Sequence, residues 1–160
     1  MLESSSENND RMIIRDSQKR EYRLQVHGEE DSYFIAKLLY RNSEIGRLHC
    51  VLSPPDKLII GDMIIHNDVI HTPPHLGAVL WEFVVKPKPI DYRRMGLGTH
   101  LLQFAIKKAR QRGIKRICGS LTQEDINNNP NLVRWYMSAL FNVFRLKSNP
   151  AFLVKNFILN

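Results

Sequence analysis

The chain has 160 residues, 43% hydrophobic and 24% charged. Those values suit one compact domain and exclude a wholly disordered, collagenous or coiled-coil chain. Its net charge of +7 is unevenly placed: residues 1–85 hold 9 basic and 13 acidic side chains, residues 86–160 hold 14 and 3, and between Lys86 and Arg116 ten bases stand with the one acid Asp91.

Residues 1–11 are polar and read as a disordered lead-in to a single domain over 12–160. Tyr22–His27 alternates weakly and predicts a strand. Tyr33–Arg41 and Ile45–Leu52 are apolar runs around Asn42-Ser43-Glu44, the pattern of a hairpin. Ser53-Pro54-Pro55-Asp56 is a turn, and Leu58–His66 is a further strand in which Gly61 marks a bulge or a close backbone approach. His71–His75 cannot continue a sheet, Leu80–Val85 is rich in strand formers, and Lys86–Ile90 is a proline-stiffened loop. From Gly98 to Arg112 the period changes to that of a helix, with Leu101, Leu102, Ala105, Ile106 and Ala109 on one stripe and Gly113 as its terminator. Ile114–Leu121 reads as a strand. Asn129-Pro130 reads as the start of a second helix with Leu132, Val133, Tyr136, Ala139 and Leu140 on its stripe. Phe141–Leu146 and Phe152–Leu159 form a closing antiparallel pair. The order predicts an α/β or α+β domain, a mixed sheet with helices on its faces.

A focused positive field attracts polyanions, whether nucleic acid, an acidic membrane or a phosphorylated cofactor; a solvated helix face explains it as well. Within it lies Arg93-Arg94-Met95-Gly96-Leu97-Gly98. Two glycines before a helix let backbone amides approach an anion, where the helix dipole favours negative charge; a tight strand-to-helix turn is the plainer reading. The Walker pattern fails for want of a Gly-Lys-Ser/Thr ending, and the dinucleotide fingerprint for want of a third glycine.

The hexapeptide, followed by Thr99-His100-Leu101-Leu102 and an amphipathic helix, resembles the acetyl-CoA pyrophosphate loop of the GNAT superfamily of N-acetyltransferases, whose pattern is Gln/Arg-x-x-Gly-x-Gly/Ala. Asn129, Leu132, Tyr136 and Phe141 resemble the family's downstream Asn, small residue, Tyr and Phe, with Leu132 and Leu140 departing from the usual Ala and Gly. Upstream, Asp62-Met63-Ile64-Ile65 is similar to the Asp-x-x-Val of the strand before the loop. Val85-Lys86-Pro87 is a competing match. The hairpin order favours the first and leaves residues 67–91 as an insertion.

The resemblance implies a mostly antiparallel mixed sheet flanked by helices, with acetyl-CoA as cosubstrate and no metal. It implies that the amides from Arg94 to Thr99 hold the diphosphate, beside Arg93 and with Met95, Gly96, Leu97 and Gly98 in the loop. It implies that backbone amides at Met63 and Ile65, with Ile64 between them, meet the pantetheine arm and the thioester carbonyl; on the other register these would be Phe83 and Val85. Tyr136 would protonate the leaving thiolate, or else be core, and Asn129 would touch the cofactor arm, or else cap its helix. No general base carries over; Glu82, Glu124 and Asp125 are candidates by position. The acceptor would be an amine of a small molecule or a protein. An acyl-CoA-holding module without turnover is the rival reading, and a nucleic-acid-binding domain a weaker one.

His66, His71 and His75 are spread across prolines with no defined ligand face, and read as surface histidines. Trp81 and Trp135 beside apolar runs read as core. Cys50 and Cys118 read as buried thiols, and with no secretory signal at the N-terminus a reducing cytoplasm is expected. No apolar run reaches the roughly 20 residues a spanning helix needs, no membrane-surface helix is expected, and the terminal strands leave room for a homodimer.

Overall fold

The computed structural model describes residues 12–28, 32–71, 88–139, 141–145 and 151–156. The predictions on Leu80–Val85, Trp81, Glu82, His75 and Val85-Lys86-Pro87 fall outside them. Eight strands form one sheet: β1 (Met12–Arg15), β2 (Glu21–His27), β3 (Tyr33–Tyr40), β4 (Ser43–Ser53), β5 (Lys57–Ile65), β6 (Arg116–Leu121), β7 (Asn142–Arg145) and β8 (Ala151–Asn156). Their order is β1-β2-β3-β4-β5-β6-β8-β7. Among the described strands only β5 and β6 run parallel; every other neighbouring pair is antiparallel. Three helices are described: α1 (Leu97–Gln111), α2 (Gln123–Asn128) and α3 (Leu132–Ser138). This is the mixed, mostly antiparallel sheet flanked by helices that the sequence leads one to expect.

One face of the sheet carries the core. Ile14, Tyr22, Leu24, Phe34, Ala36, Leu38, Leu48, Cys50, Leu58, Ile60 and Ile117 are all buried, and the strand registers align them row by row. Helix α1 supplies Leu97, Leu101, Leu102, Phe104, Ala105 and Ala109 to the same core, as a stripe at helical spacing dictates. The alternate residues of the strands, such as Tyr33, Val51 and Ile59, are exposed.

Local chemistry explains the punctuation. The β3–β4 hairpin turns on Arg41 (φ 49°) and Asn42 (φ 65°), one residue earlier than the Asn42-Ser43-Glu44 expectation. Two successive left-handed residues match the twist of the flanking strands. Gly61 is the bulge the sequence suggests: Ile60 pairs with Cys50 and Asp62 with His49, and Gly61 has no partner between them. Gly113 (φ 66°) ends α1 with the Gly113 amide donating to Arg110 O at 3.1 Å and the Ile114 amide to Ala109 O at 2.9 Å, the paired bonds of a Schellman cap.

Several expectations are corrected. The lead-in expected over residues 1–11 lies outside the described residues, and a short strand not expected from the sequence, β1, pairs with β2. Ile114 and Lys115 precede β6 rather than belong to it. Asn129-Pro130 does not open a helix. Instead Thr122 opens α2, accepting from the Asp125 amide at 3.0 Å while the Asp125 carboxylate accepts from the Thr122 amide at 2.8 Å. Asn129 is the C-terminal flank of α2, with φ −140° and ψ 86°, the extended geometry that a following proline enforces. Helix α3 begins only at Leu132. Cys50 is buried and its thiol pushed up to about 12 by that burial, whereas Cys118, on the opposite face, is half-buried.

Candidate functional site

The parallel pair β5–β6 is joined only from Lys57↔Arg116 to Ile60↔Gly119. Beyond that point β5 continues to Ile65 and β6 to Leu121 with no pairing between them. The parting falls at the Gly61 bulge, and a bulge bends its strand and sharpens the local twist. The His66 amide donates to Ile45 O at 3.0 Å. Since amides along a strand alternate sides, Ile64 and Asp62 also face β4, and Met63 and Ile65 present theirs to the gap.

The chain leaves β5, and Val69 and Ile90 pair by two bonds of 3.2 and 2.9 Å that close the stem of the intervening segment. It returns at Tyr92, whose amide donates to His66 O at 3.0 Å. The glycine loop therefore starts beside the end of β5. Asp91 clamps its first arginine, accepting from the Arg93 amide at 2.9 Å and from its guanidinium Nε and Nη2 at 3.0 and 2.8 Å. The Arg93 guanidinium lowers the Asp91 carboxyl, and Asp91 in turn raises Arg93. Arg94 (φ 62°) and Gly96 (φ 83°) are both left-handed, which is costly for arginine and free for glycine.

No side chain caps α1, and no acidic residue stands in its first turn. The Thr99 and His100 amides fold back onto Gly96 O at 3.1 and 3.3 Å. The amides of Arg94, Met95, Gly96, Leu97 and Gly98 have no acceptor among the described residues. Five consecutive donors at the positive end of a 15-residue helix make a concavity suited to an anion. The Thr99 amide, expected to join them, is already engaged.

Three separate stretches converge here. A Cβ on Gly98 would lie 3.8 Å from the Trp135 ring and 3.9 Å from Ile65 Cγ1. Trp135 Nε1 donates to Thr99 Oγ1 at 3.2 Å, so Trp135 does more than fill core. Its neighbour Tyr136 is buried, with ring contacts to Trp135 at 4.7 Å and Phe141 at 5.7 Å. Burial, then the nearby Asp125 and Cys50, push its phenol well above the usual tyrosine value. The hydroxyl has no hydrogen-bond partner among the described residues. Asn129 is exposed in the α2–α3 turn, with its amide donating to Asp125 O and its carbonyl accepting from Leu132. Of the candidate bases, Asp125 is held by the Thr122 hydroxyl at 2.7 Å and Glu124 is exposed. The two described loop histidines are not plain surface groups. His66 Nε2 lies 3.8 Å from Glu44 Oε1, and His71 Nε2 lies 2.6 Å from the Tyr92 hydroxyl, with its Nδ1 buried and without a partner among the described residues.

A mixed sheet parted beside a bare-amide glycine loop is the architecture of an acyl-CoA N-acyltransferase. A sequence profile described as the acetyltransferase (GNAT) family matches residues 5–138, and the chain belongs to that family. No curated protein matches it by sequence. Among solved structures it is similar to the GNAT domain of PAT from S. lividans, with 9% identity, TM-score 0.64, and coverage of 96% of this chain and 100% of that one. It is also similar to the PaiA N-acetyltransferase of Thermoplasma acidophilum, solved with coenzyme A, with 12% identity and TM-score 0.55 over 80% of this chain; the match spans 63% of that protein. A GNAT family acetyltransferase from Elizabethkingia anophelis with acetyl-CoA bound matches at 14% identity and TM-score 0.54 over 79% of this chain and 77% of that one. No described helix is long and apolar enough to cross a membrane.

Proposed function

We propose that the chain binds acetyl-CoA at the start of α1 and transfers its acetyl group directly to a primary amine. One observation carries the reading: five amides, Arg94 to Gly98, find no acceptor among the described residues where α1 opens, and a Cβ added to Gly98 would lie 3.9 Å from Ile65 on the edge of β5 that β6 leaves unpaired. The loop amides hold the diphosphate, with Arg93 and Arg94 adding positive charge. The Met63 and Ile65 amides, with Ile64 between them, take the pantetheine arm and the thioester carbonyl, where negative charge develops during attack. Asn129 offers its side-chain amide to the cofactor arm from the α2–α3 turn.

In the transfer the amine nitrogen attacks the thioester carbon and the carbon–sulfur bond breaks. The sulfur takes a proton from Tyr136, the new amide nitrogen releases one to solvent, and Tyr136 regains one from solvent. The raised value of Tyr136 keeps its phenol protonated at neutral pH, as a proton donor must be. The reading extends to an acetyltransferase of cytoplasmic setting, in which a homodimer would form through β1 or β7, the outer strands of the described sheet, since β8 is paired on both sides.

Calorimetry with acetyl-CoA tests the site, and binding in the micromolar range is expected; no heat at millimolar ligand removes it. A holding module without turnover is favoured by the fate of the candidate bases, Asp125 capping α2 and Glu124 facing solvent. Thiol release with a panel of amines separates the two: release supports transfer, and tight binding without release supports holding.

A further inference from the structure

The turn joining β1 and β2 lies far in sequence from the glycine loop, yet it touches it. Asp16 has no exposed side-chain surface and accepts four hydrogen bonds. They come from the Gln18 amide at 2.8 Å, the Arg20 amide at 3.0 Å, Arg20 Nε at 2.7 Å and the Tyr22 hydroxyl at 2.7 Å. So held, the Arg20 guanidinium has one orientation. In it, Nη2 donates to Met95 Sδ, a weak acceptor, and the guanidinium carbon stands 5.8 Å from the centre of the Tyr92 ring. Tyr92 is fully buried and leads into the loop, and Met95 lies in it.

Between the two contacts sits Arg94, whose left-handed backbone needs outside support. Asp91 holds the preceding residue, Arg93, from within the loop. The Asp16–Arg20 pair grips either side of the strained residue from another element. We propose that Asp16 and Arg20 are positioning residues that hold the glycine loop in its anion-binding shape before the cofactor arrives. The inference rests on the acetyl-CoA reading above. A loop already in its bound shape spends less binding energy on ordering, so removing the brace weakens cofactor affinity without touching the amine.

The test is Asp16→Asn in the full chain, read by calorimetry with coenzyme A and by the KM for each substrate. The variant keeps the Arg20 charge and deletes a negative charge close to a phosphate site. Electrostatics alone therefore predicts tighter coenzyme A binding, and the brace predicts looser binding. The expected result is a Kd raised about tenfold, a loss of ordering that corresponds to roughly one factor of ten in affinity. The KM for acetyl-CoA rises in step while the KM for the amine stays. Equal or tighter binding by a folded Asp16→Asn overturns the brace and leaves the acetyl-CoA reading standing. A wild-type chain that binds no coenzyme A overturns that reading and the brace with it. Should Asp16→Asn not fold, Met95→Leu keeps the volume and removes only the sulfur acceptor; a raised Kd supports the brace and an unchanged one overturns it.

Discussion

Gly46→Ala tests whether the site strand is set from behind by its neighbour. Gly46 pairs with Ile65 across β4 and β5, at the tip of the unpaired edge. A Cβ built there meets Ile65 Cδ1 at 2.6 Å and the Ile64 carbonyl oxygen at 2.9 Å. The first contact can rotate away, since it is the end of a side chain. The second is backbone. Carbon–oxygen contacts settle at roughly 3.3–3.6 Å, so β5 must retreat from β4 by about half an ångström at Ile64. Overpacking of this kind costs about 1–3 kcal/mol, or a fall in Tm of roughly 3–10 °C for a chain of this size.

The same retreat moves the amides of Met63 and Ile65, the donors assigned to the thioester. Because misplacement by an ångström can cost a hundredfold, half that distance should lower kcat by about tenfold. Gly61→Ala is the control on the same strand. Its nearest contact is the His49 carbonyl at 3.8 Å, so the change should stay within about 0.5 kcal/mol of wild type. Urea melts followed by circular dichroism give the stabilities, and thiol release gives the turnover. If Gly46→Ala melts with Gly61→Ala, the argument that Gly46 is required by a close backbone approach is wrong.

Gly96→Ala places a side chain in open space at φ 83°, so strain alone should cost about 1 kcal/mol in a urea melt and weaken acetyl-CoA binding in calorimetry. Tyr136→Phe leaves the ring contacts in place; kcat should fall by about a hundredfold with the melting curve little changed, and full activity would remove Tyr136 from the transfer step. Thr122→Ala should lose about 1 kcal/mol and speed amide exchange in α2 before other elements. For Asp16, burial raises the carboxyl, but the bonds from Tyr22, Arg20 and Gln18 outweigh it and lower the group to about 2 from 3.8. A carboxyl lowered in the folded state stabilises above its unfolded value and loses that contribution as pH falls through the folded one. Stability should therefore drop by roughly 2 kcal/mol between about pH 4 and pH 2, and Asp16→Asn should flatten that arm of the curve.

What was legible in the sequence is what neighbouring residues decide among themselves. Gly113 could end α1 because a left-handed residue after a helix closes two carbonyls locally, and Gly61 could mark the bulge because a glycine inside a strand weakens its pairing. The glycine loop was legible for the same reason. Asn129-Pro130 misled because both residues suit a helix start in isolation, while Thr122 and Asp125 upstream form the box that opens a helix and place Asn129 at its far end. Strand β1 is too short to show a period, and nothing local tells β8 to lie between β6 and β7.

The least legible part is the support of the site. The Arg20–Met95 contact joins residues 75 apart, and Gly98 meets Ile65 and Trp135 from two other elements. A loop that binds mainly through its backbone depends on its shape, and that shape is held partly from outside. Arg94 makes the need specific, since a left-handed arginine persists only where its surroundings hold it. The motif thus identifies where a diphosphate would sit, and residues outside every motif determine whether the amides are ready to receive it.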